Sequence, residues 1–269
     1  MQRKSSLVLA VMLLALGLAG CKHDPGIIKY PTPMSSLKNA PHETKQDDKR
    51  TAAQTHTQLA AAYMKQNNLK DAEVALRKAI GFDDKYVPAH TMLAILEWHI
   101  GRLQEADKEF RDAIAIDPSS GDTNNNYGQF LCAQNKQKDA VRYFQRALAD
   151  PFYKFPATAN TNVATCLMKS NDFAGAEPYL SKALELDSDY GPALLAMAEL
   201  DYRKGDAFHA RGYLQRFEGA GSATPESLLL GYQIATRLGD KETATSYSTR
   251  LQDQFPNSSQ AKSMGSSNQ

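Results

Sequence analysis

The chain has 269 residues, 42% hydrophobic and 23% charged, with a formal net charge of +1. This is the composition of an ordinary folded domain, and it lacks the basic excess that a nucleic-acid binder carries. Length alone allows two domains, but no internal break interrupts the pattern described below.

The amino terminus reads as a secretory signal over residues 1–20. Met1–Ser6 carries two positive charges, and Leu7–Leu18 is an apolar run of signal-core length. It ends in Leu18-Ala19-Gly20-Cys21, which resembles the lipobox of bacterial lipoproteins. That resemblance implies that Cys21 becomes the first mature residue, carrying a thioether-linked diacylglycerol and an amide-linked acyl chain. Several acyl chains anchor a protein far more firmly than one. Lys22, where inner-membrane lipoproteins usually have aspartate, favours the periplasmic face of the outer membrane. Without Arg3 and Lys4 the chain carries a net charge of −1. Residues 21–50 contain Pro25, Pro31, Pro33 and Pro41 and few aliphatic residues, and they are expected to form a flexible tether.

From residue 51 to 256 a repeat governs the sequence. Alanine recurs at Ala72, Ala106, Ala140, Ala176, Ala210 and Ala244, at intervals of 34, 34, 36, 34 and 34 residues. Small residues precede it in step at Ala60, Ala94, Gly128, Ala164, Ala198 and Gly231, and a bulky one follows at Leu76, Phe110, Phe144, Leu180 and Leu214. Two antiparallel helices approach closely only where one offers small side chains, so this spacing predicts an all-α, right-handed superhelical solenoid of about six tetratricopeptide helix–turn–helix units. The units fall near 53–86, 87–120, 121–156, 157–190, 191–222 and 224–257. Gly101, Asn135, Asn171, Gly205 and Gly239 mark the turns within them. Repeat three carries two extra residues, where Pro151 and Pro156 bracket Phe152-Tyr153-Lys154-Phe155. Residues 257–269, rich in serine and asparagine, are expected to be a disordered tail.

No constellation for chemistry emerges, and the expected catalytic residues, metal ligands, cofactors, small-molecule substrate and nucleic-acid partner are none. The six histidines show no paired metal-ligand spacing, and phosphate-binding or nucleophile-elbow motifs are absent. His56 and His90 stand 34 apart, at equivalent places in neighbouring first helices, which points to packing. Cys132 and Cys166 sit four and two positions after their small residues; this mismatch, with helix axes about 8–10 Å apart, favours buried free thiols over a disulfide. In such an array the first helices line the concave face. Register places Met64, Thr91, Ile95, Trp98, His99, Asn125, Gln129, Met168, Lys169, Tyr202 and Arg203 on that partner-binding groove, with Trp98 as an aromatic anchor.

Three strings carry a closer likeness. Asn125-Asn126-Tyr127-Gly128-Gln129-Phe130-Leu131, Ala210-Arg211-Gly212-Tyr213-Leu214-Gln215-Arg216-Phe217 and Ser227-Leu228-Leu229-Leu230-Gly231 resemble the PilF/PilW family of type IV pilus biogenesis lipoproteins, the pilotins. The longer tether and Pro178, early in a second helix, depart from the family pattern. The resemblance implies a non-enzymatic outer-membrane scaffold that binds the pilus secretin and promotes its localisation and multimerisation. A scaffold for another envelope machine, such as barrel-protein assembly or peptidoglycan enzymes, is the alternative.

Overall fold

The structure, a computed structural model, describes residues 45–221 and 223–266. The signal segment, Cys21 and most of the expected tether lie outside the described residues. Among the described residues there are thirteen helices and no strand. Six are first helices of a repeat: α1 (Lys45–Lys65), α3 (Val87–His99), α5 (Gly121–Ala133), α7 (Pro156–Lys169), α9 (Gly191–Lys204) and α11 (Pro225–Arg237). Each is followed by a second helix: α2 (Leu69–Phe82), α4 (Leu103–Ile116), α6 (Gln137–Ala149), α8 (Phe173–Leu186), α10 (Ala207–Ala220) and α12 (Lys241–Gln254). The short α13 (Ser259–Ser266) closes the array. None of the described helices is long and apolar enough to cross a membrane.

The repeat alanines do what steric reasoning requires. Ala72, Ala106, Ala140, Ala176 and Ala210 have no exposed surface, and the bulky residues four positions on are equally buried. In repeat three the first helix needs glycine: a Cβ on Gly128 would stand 2.7 Å from the Phe144 ring. Ala106→Leu is therefore expected to destabilise the fold by about 1–3 kcal/mol through overpacking. Lys108→Ala, which removes exposed pairs of Lys108 with Asp112 and Glu109, should cost well under about 1 kcal/mol. Denaturant melts of the two variants check this; equal midpoints would contradict the assigned register.

The turns use residues that tolerate a left-handed backbone. Asn67, Asn135 and Asn171 have φ of 57°, 56° and 61°, and Gly101, Gly205 and Gly239 take φ of 82°, 95° and 76°. The asparagine side chain makes that conformation accessible without glycine. Asn68, Asp172, Asp206 and Asp240 then cap the following second helices, each accepting a backbone N–H three residues on.

Two boundaries differ from expectation. Residues 45–50 belong to α1 and not to a tether: Asp47 and Asp48 sit in its first turn, where the helix dipole favours acids. Arg50 secures this turn by bonding Asp83 and stacking over the Tyr86 ring. Residues 259–266 are helical and not a disordered tail. Ala261 of α13 is buried against Leu228 and Leu251, with Met264 alongside. The last repeat would otherwise expose the apolar face that each earlier repeat covers with its successor, so even a polar segment with two apolar contacts folds there.

Cys132 and Cys166 form a disulfide with a Cα separation of 5.8 Å, which corrects the expectation of free thiols. Parallel helices lying side by side present opposite faces to each other, so identical register would point both sulfurs the same way. Positions two residues apart differ by about 200° of rotation, which is the offset a bridge needs. The axis distance was no obstacle either. Cα atoms stand about 2.3 Å from each axis, so an 8–10 Å axial spacing brings facing Cα atoms within disulfide range.

Candidate functional site

The first helices stand in a row, and their free faces line a groove. It includes a cavity of about 520 Å³ over repeats four to six. Thr161, Asn162 and Thr165 of α7 form one wall; Pro192, Leu195, Ala196, Glu199, Tyr202 and Arg203 of α9 form the floor. Glu226, Leu229, Leu230 and Gln233 of α11, with Gln260 of α13, form the other wall. A second cavity of about 250 Å³ shares Asn162 and Thr165 with the first and continues to Trp98, Gln129, Ala133 and Lys169 above the disulfide. The two cavities adjoin at Asn162 and Thr165, and their linings mix apolar side chains with amides and charges.

Arginines hold the rim. Arg203 stacks over Phe173 at 4.9 Å, donates to Asn171 Oδ1 at 2.8 Å and faces Glu199 at 3.6 Å. Arg237 repeats the device one unit later, stacking over Tyr202 at 4.3 Å and donating to its carbonyl oxygen at 2.9 Å. Arg203 thus ties α9 to the α7–α8 turn and α8, and Arg237 ties α11 to α9.

Of the residues assigned to the groove by register, Trp98, Gln129, Lys169, Tyr202 and Arg203 line these two cavities. Trp98 is half-buried and meets Phe130 edge-on at 5.7 Å. His99 is exposed, and Met64 and Ile95 are half-buried against the cores of the first and middle repeats. Thr91, Asn125 and Met168 are buried, at 7%, 6% and 2% exposure. Thr91 shares a 2.9 Å hydrogen bond with Thr123, and Asn125 Oδ1 accepts from Asn162 at 3.0 Å, so both face the following first helix. Thr91 and Asn125, three before the small residue, spend their polar groups on the next first helix, whereas the larger Trp98 and Tyr202, four after it, reach the cavities. The position two before it, occupied by Asn162, Ala196 and Leu229, opens to the groove and was missed. Gln233, two after the small residue, and Gln260, on α13, also reach the groove with no signal in the first-helix register.

His90 and His56 have separate surroundings. His56 stacks on Phe82 at 5.3 Å. His90 hydrogen bonds through both ring nitrogens, with Glu109 at 2.7 Å and the Asp84 carbonyl at 3.0 Å. Both partners are acceptors, an arrangement that a doubly protonated ring satisfies. Burial alone would lower its pKa, but Glu109, the Asp84 carbonyl and Asp112 together outweigh burial and raise it. His90, Glu109 and Asp112 place ligand-type atoms within 4.8 Å of one another. The Lys108 ammonium, 2.7 Å from Asp112 and 3.7 Å from Glu109, already neutralises those carboxylates, and the Nδ1–carboxylate distance is that of a hydrogen bond. A raised folded-state pKa gives stability that is fully present below about pH 6.5 and is lost as pH rises through the folded value. Melts should therefore fall in that window for the native chain, and Glu109→Gln should flatten the dependence; an unchanged profile would refute the ion pair.

Comparison with known proteins adds a family. The tetratricopeptide repeat model matches residues 57–121, 91–157 and 128–191. The type IV pilus assembly protein PilF of Pseudomonas aeruginosa is 31% identical over 250 residues, covering 92% of this chain and 93% of that protein. The crystal structure of PilW, a type IV pilus biogenesis factor, superposes with a TM-score of 0.73 at 32% identity, covering 79% of this chain and 97% of PilW. The structure of Pseudomonas aeruginosa PilF superposes with a TM-score of 0.72 at 30% identity, covering 82% and 99%.

Proposed function

The chain belongs to the tetratricopeptide family of the pilus biogenesis factors PilF and PilW, and on that basis we propose that it is a scaffold for type IV pilus biogenesis. In this reading it is anchored through acylated Cys21 to the periplasmic face of the outer membrane. Its groove holds a subunit of the pilus secretin and promotes that protein's localisation and multimerisation. The observation that carries the reading is the pair of adjoining cavities from Trp98 to Gln260, bordered by Arg203 and Arg237. A lining that mixes apolar side chains with amides suits capture of a polypeptide segment, whose side chains are buried and whose backbone groups are bonded. Membrane tethering confines bound subunits and raises their local concentration, which favours oligomerisation without further contact energy.

Cys21→Ala tests the anchor and its consequence together. The variant should carry no lipid by mass spectrometry, keep the wild-type circular dichroism, and support fewer secretin multimers and fewer pili. Native protein lacking lipid at Cys21 would remove the anchor. Native protein that co-purifies with barrel-assembly or peptidoglycan enzymes in place of secretin would replace the partner.

A further inference from the structure

The loop between α6 and α7 carries the two extra residues of repeat three and takes no part in the groove. It is rigidly mounted. Asp150 accepts hydrogen bonds from the Phe152 amide at 2.9 Å and from the Gly121 amide at 3.0 Å. The Tyr153 amide donates to the Asp150 carbonyl at 3.2 Å. The Tyr153 ring lies so close over Gly121 that a Cβ there would stand 2.7 Å from it. On this mount Phe152 is 86% exposed and Phe155 56% exposed, with exposed Lys154 between them. The Phe155 ring meets Tyr153 edge-on at 6.1 Å and leaves its other side in water, and the Phe152 ring stands almost wholly in water.

The position of the loop gives them a counterpart. Paired helices run antiparallel, so every first helix starts on the edge of the solenoid where the second helices end. The α6–α7 loop lies on that edge, and so does the start of α1. Arg50 ties that start to Asp83 and Tyr86 in the α2–α3 turn. The described chain therefore begins, at Lys45, on the edge from which Phe152 and Phe155 project.

We propose that this edge faces the bilayer that holds the acyl anchor, and that Phe152 and Phe155 insert at its interface. The inference rests on the Cys21 anchoring of the proposed function. Rings that enter the headgroup region with a lysine between them have the pattern of an interfacial contact, the long amine reaching headgroups while the rings sink below. A protein partner is the weaker reading, because a specific interface needs about 800 Å² from each side. Here the rings stand on a narrow tip beside exposed Pro151, Lys154 and Asp122. Along this edge exposed Asp84, Asp122, Asp187 and Asp189 stand beside Lys85 and Lys154, so attraction to anionic lipid does not drive the contact, which is insensitive to salt.

Acylated full-length chain in phosphatidylethanolamine–phosphatidylglycerol vesicles tests this. Tryptophan is introduced as Phe152→Trp or, on the opposite edge, as Phe208→Trp, with wild-type Trp98 emission as the common baseline. Brominated phospholipid should quench the added emission at 152 at least about twofold, in low and high salt alike, and leave that at 208 unchanged. Chain that floats with the vesicles but shows no quenching at 152 overturns the edge contact and leaves the anchor standing. Quenching protection that appears only when secretin is added assigns the rings to a protein. Chain that does not float overturns both the contact and the anchor.

Discussion

Replacing both Cys132 and Cys166 with alanine lowers stability by about 3–4 kcal/mol and the melting midpoint by about 10 °C. The bridge closes a loop of 34 residues and joins the first helices of repeats three and four. In a stacked array each unit is stabilised by its neighbours, so a covalent link between two middle units opposes separation of the array into halves. A reductant should reproduce the loss in the native chain and have no further effect on the double variant. Identical melts with and without reductant would mean that the bridge adds nothing to the folded state.

The second large effect concerns Glu97, whose side chain has no exposed surface. Its two carboxylate oxygens are held by Arg77 Nη2 at 2.9 Å and Arg102 Nη1 at 3.1 Å, which reach it from α2 and from the turn before α4. Both arginines also bind Glu73. Arg77→Met with Arg102→Met leaves Glu97 buried and unpaired, at a cost of about 3 kcal/mol. This is the lower end of the range for buried pairs, because the two arginines are 53% and 48% exposed and water screens them. Adding Glu97→Met should recover most of the loss, since an apolar side chain of similar volume replaces the stranded charge. Denaturant titration of the three proteins decides the matter: a triple variant no more stable than the double would show that the loss comes from packing and not from charge.

Much of the architecture is legible in the sequence because it depends on short-range sterics. Ala106, Phe110 and Ala113 must meet across a helix pair whatever lies further away, so their spacing alone reveals the stack. The turns at Asn135 and Asn171 follow from local backbone preference. What escapes sequence reasoning depends on relations between repeats. Asn125 and Thr91 are polar and one turn from groove positions, yet both spend their polar groups on the next first helix, a relation between repeats that spacing does not reveal. The cysteine pair escaped for the same reason: its register was compared as if neighbouring helices presented the same face. At the ends, Lys45–Arg50 and Ser259–Ser266 look polar and unstructured in isolation. They fold because the first and last repeats have uncovered surfaces, and a residue such as Ala261 has no signal of its own. Gln260 reaches the groove only by way of that unforeseen helix.

The proposed role of the groove is tested most directly by crosslinking in living cells. A photoreactive amino acid is placed at Leu229, in the wall of the larger cavity, and separately at Lys182, exposed on α8 away from it. Crosslinking from Leu229 to the pilus secretin, abolished by Leu195→Glu with Ala196→Glu and absent from Lys182, is the predicted result. Equal secretin crosslinking from both positions, or none from Leu229 while pili assemble normally, would contradict it.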